Sequence, residues 1–474
     1  MRSVVSLLTA VLLLMPLVAH AQTLQDVARA LGADTVKSLE IQGTGANFLV
    51  GQSVLPGQPW PQFNTKSLTL LVNYDTGSLR EEAVRVRALE PPRGGGAYVR
   101  GELRQIIAAS GDHAWNVVAD APVPAPVALA DRSFQLWSTP HGIVKAALAG
   151  RGTMQGRTIA FAAPGRFKGT ATVGAGNLIE KVEATVANAV LGDMPVTIMY
   201  ADYKDFGGVK YPTKIRQTSG GFPSVELTVT EVKANVAADI AVPDPVRQAA
   251  NPYARVQSTK VADGVFYIAG GSHHSVAIEM ADHVIVAEAP LIEARALAVL
   301  AEVRNLIPNK PIRYVIVSHH HFDHSGGVRT FAGEGITLVT HEASKAFFER
   351  VVGLPATVNP DHLAKSGKKT AVEGVRDKRV FTDGTRTVEV HHIAGSLHAD
   401  DMVMAYLPKE KLLIEADAYT PPAPNAQPMT PPSPFTVNLV ENIGKQKLAV
   451  DQVLPLHGRV VPVAELMKAA GHSH

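Results

Sequence analysis

The stretch Ser318-His319-His320-His321-Phe322-Asp323-His324-Ser325-Gly326-Gly327 decides how the rest of the chain is read. It follows Pro311-Ile312-Arg313-Tyr314-Val315-Ile316-Val317, a short β-branched run of the kind that forms a buried parallel strand. Gly326-Gly327 then opens a turn into a short helix from Val328 to about Phe331. Open α/β sheets form their ligand sites at the carboxyl ends of such strands. His319 and His321, two apart in an extended segment, share a face and aim at one point. The turn that follows swings Asp323 and His324 toward a second point, an arrangement that suits two metal ions better than one. A bare run of histidines is also compatible with a polar loop or an adventitious metal-binding tract, so the rest of the chain has to decide.

At 474 residues the chain exceeds one ordinary core, and two or three domains are expected. With 46% hydrophobic and 19% charged residues it reads as globular. The 45 basic and 43 acidic residues leave a formal charge of +2, which gives no argument for nucleic acid or a membrane surface as partner. A small-molecule substrate is the expected partner, and the oligomeric state has no signal in the sequence. The absence of cysteine excludes disulfides, iron–sulfur clusters, a thiol nucleophile and thiolate ligands. Any metal must therefore sit on histidine and carboxylate, which favours zinc or another borderline divalent ion. Residues 1–21 read as a signal peptide, with Arg2 before an apolar run from Val4 to Val18 and Ala19-His20-Ala21 as the cleavage site. Cleavage after Ala21 implies a periplasmic or secreted protein. No later run is apolar enough for a membrane span.

Two grammars follow one another along the chain. Thr23-Leu24-Gln25-Asp26 is a capping box before a helix that stops at Gly32. From Val36 to about Val242 strand follows strand. Leu68, Leu70 and Val72 alternate imperfectly, Val225, Leu227 and Val229 cleanly, and further strands are expected over Asn177–Val186, Val196–Tyr203 and Val209–Gln217. One helix interrupts them, capped by Ser138 or Thr139 and ended at Gly150. This half, residues 22–247, reads as an antiparallel β domain built on a curved sheet or half-barrel. It holds no ligand cluster, and His113 and His141 stand alone as structural residues. The proline-rich run from Asp239 to Pro252 reads as a linker.

Residues 248–474 alternate strands with helices, the order of an α/β domain. Strands are expected over Val265–Ala269, Ser275–Met280 and His283–Ala287, then a helix from Leu291 to Leu306. Asp383-Gly384 marks a hairpin. His398 lies on the loop after the His391 strand, Asp417 ends the strand Leu412–Glu415, and His457 ends Val453–Leu456. Each stands at a strand terminus, as the histidine cluster does.

The order His319-x-His321-x-Asp323-His324, then His398, Asp417 and His457, resembles the five-motif signature of the metallo-β-lactamase superfamily, over roughly Val256 to Val463. The resemblance implies an αβ/βα sandwich with two Zn2+ per chain at one edge, another divalent ion being compatible. His319, His321 and His398 would hold the first ion, Asp323, His324 and His457 the second, and Asp417 would bridge. His321 stands where oxygen-reducing relatives carry a glutamate, which argues for zinc over a redox iron pair. Two departures matter. Glu288 replaces the aspartate usual at the end of the second strand, where it supports ligands. Asp417 stands where dedicated antibiotic-hydrolysing members have cysteine or serine, and instead resembles the thioesterase, lactonase and glyoxalase II-like branches.

The implied function is an exported zinc hydrolase in which a metal-bridging hydroxide attacks an ester, thioester or lactone carbonyl, with Asp323 orienting it and shuttling its proton. A broad or weak β-lactamase and a non-enzymatic periplasmic carrier are the alternatives. Tyr419, Arg459 and His273 are further candidates for substrate contacts, although each residue type more often serves structure. His320 is expected to point away from the ions. The segment Thr420–Pro434, with seven prolines, is expected as an extended cover over the entrance.

Overall fold

The computed structural model describes residues 22–472 apart from 97, 99, 100, 250–252, 425 and 428, so the signal-peptide reading lies outside the described residues. The capping box forms as expected: Thr23 and Asp26 cap the helix Leu24–Leu31, whose Val27, Ala28 and Leu31 are buried. Those side chains reach the β half, which is one antiparallel sheet of 13 strands. Its first strand, Ser38–Phe48, sits mid-sheet and pairs on one side with Gln62–Asn73 and on the other with the last strand, Phe222–Ala234. Two meanders run outward from that pair. Their inward-facing residues, among them Leu39, Ile41, Val72, Val182 and Ile198, pack against the helices carrying Val27, Phe134 and Ile143.

Local departures from the expected pattern have local causes. Val229 and Val232 are buried while Val225 and Leu227 are half-buried, because a bulge between Gln42 and Gly43 shifts the register of the last strand. A helix Leu129–Trp137 precedes the expected one, which runs Pro140–Ala146 with Thr139 as its N-cap. The linker is not wholly extended. Asp244–Gln248 forms a short helix with proline in its first turn.

The C-terminal half is a sandwich of a 7-stranded and a 6-stranded sheet, the αβ/βα arrangement expected. Ile278, Ile285 and Val339 of one sheet meet Val388, Leu413 and Val453 of the other in a shared core. The outer face of the first sheet is covered by Glu293–Leu306 through Ala296, Val299 and Leu300, and that of the second by Pro434–Lys445 through Leu439 and Ile443. Val284–Ala287 runs parallel to Ile312–Ile316, and Leu412–Glu415 parallel to Gln452–Pro455. The carboxyl ends of all four strands therefore gather at one edge, and the loops that leave them carry Glu288, His319, Asp417 and His457. Among the described residues no helix is long and apolar enough to cross a membrane.

Candidate metal centre

The seven side chains singled out in the sequence converge at that edge. His319, His321, His398 and Asp417 offer ligand atoms within 4.8 Å of one another, as do Asp323, His324 and Asp417. Asp417 belongs to both sets and divides its oxygens between them. Oδ2 lies 2.9 Å from His398 Nε2, while Oδ1 lies 2.9 Å from His324 Nε2 and 2.7 Å from His457 Nε2. Asp323 and His324 sit in one short helical turn, Phe322–Ser325, with Asp323 Oδ2 4.0 Å from His324 Nε2.

The outer hydrogen bonds fix which nitrogen of each ring faces inward. His321 Nε2–H donates to the Ser53 carbonyl at 2.8 Å, which leaves Nδ1 a bare lone pair 2.9 Å from His319 Nε2. The Ser318 hydroxyl gives its proton to Glu288 Oε2 and so accepts from His319 Nδ1 at 2.9 Å, leaving Nε2 bare. His324 Nδ1–H donates to Glu288 Oε2 at 3.1 Å and His457 Nδ1–H to the Ser272 carbonyl at 2.9 Å. Their Nε2 atoms are left facing inward, 3.1 Å from each other and both within 3 Å of Asp417 Oδ1. Lone pairs held this close repel unless a cation lies between them, and metal-bound histidines are oriented by outer acceptors of this kind. Both ring nitrogens of His398 are buried without an aligned hydrogen bond, Nε2 meeting only the Asp417 carboxylate at 2.9 Å. The donor set fits a pair of divalent ions.

The electrostatics point the same way. Burial, reinforced by the neighbouring imidazoles, holds His319 and His321 well below the usual histidine range, so both are the neutral rings that metals require. Burial would also strip the proton from His324, but the Asp417 and Asp323 charges outweigh it and raise that ring well above its usual range. The carboxylates thus demand positive charge where His324, His457 and Asp417 meet.

Residues 288–428 match the family model for the metallo-beta-lactamase superfamily. The C-terminal half carries a metallo-β-lactamase superfamily domain. Among solved structures, a metallo-beta-lactamase from Pontibacter korlensis is 18% identical over 46% of this chain and 98% of its own, with a TM-score of 0.36. The DIM-1 metallo-beta-lactamase is 15% identical over 46% of this chain and 95% of its own, with a TM-score of 0.35. FIM-1 from Pseudomonas aeruginosa, in its mono-zinc form, is 16% identical over 46% of this chain and 93% of its own, with a TM-score of 0.34. No curated protein matches the chain.

The remaining candidates fall in different places around the superfamily site. His273 lies nearer the centre than a residue at the mouth. Its Nε2 is 3.3 Å from Asp323 Oδ2, and it groups with His324 and His457. Burial pulls it down to about 4, so it is neutral at physiological pH. Tyr419 and Arg459 instead line a neighbouring cavity of about 500 Å³ whose walls include Pro422, Pro424 and Met429, and Arg459 is engaged by Glu465 at 2.6 Å. The proline-rich segment therefore walls that cavity, with Pro421 against Gly458 beside His457. His320 points away from the cluster as expected, with its Nδ1 on Asp401 at 2.9 Å and its Nε2 accepting from Ser53 Oγ at 3.0 Å.

Sequence reasoning missed Gln52, Ser53, Ser318 and Asp401. Asp401 carries a weak signal, an acidic pair following His398, and buried it anchors His320 N at 3.0 Å and the Ser344 hydroxyl. Nothing in the sequence ties Gln52 or Ser53 to a motif more than 260 residues away.

Proposed function

We propose that the chain is an exported zinc hydrolase acting on an ester, thioester or lactone carbonyl, with residues 22–247 as its β-rich unit and 248–474 as its hydrolase unit. The observation that carries the reading is Asp417, one carboxylate whose two oxygens face two sets of imidazole nitrogens. His319, His321 and His398 would hold one ion, Asp323, His324 and His457 the other, and Asp417 both. When bound, such a pair supplies Lewis acidity to a carbonyl and lowers the pKa of a shared water toward about 7. Asp323 would orient that water and accept its proton from the side of His324, which its carboxylate approaches to 4.0 Å. Glu288 and the Ser53 and Ser272 carbonyls hold the ring protons outward. A carboxylate at position 417, in place of cysteine or serine, favours acyl esters over lactams as the main substrates.

The carrier reading has one observation in its favour. A cavity of about 380 Å³ opens in the β-rich unit, lined in part by Leu68, Leu70, Phe134, Met194 and Leu227. Apolar molecules extracted from purified protein and identified by mass spectrometry would support it. For the hydrolase, the test is a screen of esters, thioesters and lactones, with nitrocefin and imipenem alongside, on zinc-loaded protein and its Asp323→Asn variant. About two zinc per chain and ester turnover lost in the variant are expected. Zinc-loaded protein without turnover on any acyl substrate would remove the proposal. Export is tested by N-terminal sequencing of the periplasmic fraction, where Gln22 is expected as the first residue.

A further inference from the structure

We infer that the β-rich unit supplies a positioning residue to the metal centre: Gln52, whose side-chain amide holds the Asp323 carboxylate so that Oδ2 turns toward the second ion. The inference rests on the hydrolase reading and assigns a role in it to the half of the chain that carries no ligand.

The segment leaving Ser38–Phe48 crosses to the histidine motif and bonds to it residue by residue. The Gly51 carbonyl accepts from Phe322 N at 3.3 Å, and the Ser53 carbonyl accepts from His321 Nε2 at 2.8 Å. Ser53 Oγ donates to His320, and the Val54 carbonyl accepts from Asp400 N at 2.9 Å. Between these anchors Gln52 Nε2 donates to Asp323 Oδ1 at 2.7 Å.

The orientation of that amide is dictated by its partners. Gly96 N donates to Gln52 Oε1 at 3.1 Å, and a backbone N–H cannot accept, so Nε2 must face the carboxylate, which cannot donate. The glycine turn that fixes it is itself held in place. Gly94 N donates to the Leu397 carbonyl at 2.8 Å, beside His398, Gly95 N donates to the Gln52 carbonyl at 2.9 Å, and Arg87 donates to the Gly95 and Gly96 carbonyls. A Cβ on Gly95 would overlap Gln52 Oε1 and come within 2.7 Å of His321 Cε1, so the close approach requires glycine there.

A neutral donor suits this position. It spends one oxygen of Asp323 on a fixed partner and stops the carboxylate from rotating, without adding a positive charge that competes with the ion. With Oδ1 occupied, Oδ2 is left toward His324 and His273. Outer-shell partners of metal ligands typically change affinity about tenfold to a hundredfold when removed.

The test is a stepwise zinc titration against a competing chelator, on the full chain, for wild type, Gln52→Ala, Gln52→Glu and the surface control Lys66→Ala. Cobalt absorption spectra and melting curves are recorded for each. In Gln52→Ala one binding step is expected to weaken about tenfold to a hundredfold while the other stays put. Gln52→Glu, which sets a second carboxylate against Asp323, should perturb the cobalt spectrum of the same site. Lys66→Ala, which removes only an exposed ion pair with Glu102, should match wild type. Unchanged steps in both Gln52 variants overturn the inference, as does a loss of both steps together with a collapsed melting transition, since an ordinary fold contact would give that. Wild-type protein that takes up no zinc would instead remove the hydrolase reading and this inference with it. Two zinc in wild type with an unaltered Gln52→Ala removes the role of Gln52 alone.

Discussion

Replacing Glu288 by glutamine should weaken both metal sites at once, through the tautomers of two histidines. Glu288 is fully buried, with a φ of +83° that a non-glycine residue adopts only when its surroundings hold it there. Its Oε1 accepts from Ser318 N at 3.3 Å and from Ala289 N at 3.4 Å. Its Oε2 accepts from His324 Nδ1 and from the Ser318 hydroxyl. In the glutamine variant the amide NH2 cannot face the two backbone N–H groups, so it must take the place of Oε2. There it confronts two donors. His324 then loses the acceptor for its Nδ1 proton, and the ring is better served by carrying the proton on Nε2, the atom that faces Asp417. Ser318 in turn accepts from the amide and offers its own proton to His319 Nδ1, which moves the proton of that ring to Nε2 as well. Each reversed ring must be corrected before it can bind an ion, at about tenfold to a hundredfold per site, or roughly 1.4 to 2.7 kcal/mol. A chelator-competition titration of Glu288→Gln should show both zinc steps shifted, whereas Gln52→Ala shifts one. Wild-type affinity at both steps in a folded Glu288→Gln protein would refute the tautomer reasoning.

Three further outcomes are expected. Asp417→Asn removes the shared anion, and zinc content measured by elemental analysis should fall from about two ions per chain to about one or fewer, with ester turnover lost; retention of both ions would show that Asp417 does not bridge. Gly51→Ala places a Cβ inside the Phe322 ring at a φ of +76°, so the melting temperature should drop with a destabilisation of about 2 to 4 kcal/mol, and an unshifted melt would mean that the segment does not pack as described. His141 is fully buried with Nε2 donating to the Leu31 carbonyl at 3.1 Å, and burial pulls its pKa from 6.5 to about 4. Between those values the unfolded chain binds the proton and the folded one does not, so stability falls as pH drops from 6.5 toward 4, by up to about 3 kcal/mol. Urea unfolding of His141→Gln should lose that part of the acid sensitivity, and an identical pH slope in both proteins would count against it.

The ligand residues were legible because each was announced locally. His319 to His324 follow a β-branched run, and His398, Asp417 and His457 each follow a strand, so strand-end placement alone suggested a common edge. Tautomers and outer partners were not legible, since Ser318 is an ordinary serine until Glu288 folds against it. The helix Leu129–Trp137 escaped notice because its N-cap is Ala128, with no side chain to announce it. The sheet of 13 strands was readable strand by strand but not in its order. The pairing of Ser38–Phe48 with Phe222–Ala234 joins residues nearly two hundred apart, and the bulge at Gln42 shifts the alternation that would have marked the buried face. His273 looked like one residue of a polar turn, and only the approach of Ser275–Glu279 to the ligand edge brings it against Asp323.

Why the β-rich unit should touch this site at all follows from the repulsion built into it. Imidazole rings and carboxylates crowded at one edge would relax by rotating outward, so each is held in place from behind. Within the superfamily domain, Glu288 tethers His324 directly and His319 through Ser318, and the Ser272 carbonyl tethers His457. His321 and Asp323 Oδ1 are tethered instead by the Ser53 carbonyl and the Gln52 amide, which come from the segment leaving Ser38–Phe48. Among the described candidate ligand histidines His398 alone has a buried Nδ1 with no hydrogen-bond partner, so no outer side chain or carbonyl tethers its ring. The Gly94 N to Leu397 carbonyl bond, contributed by the same β-rich unit, then acts on the backbone beside His398 where no side-chain tether exists. A superfamily domain separated from residues 22–247 would keep all seven candidate ligands and lose the restraints on three of them.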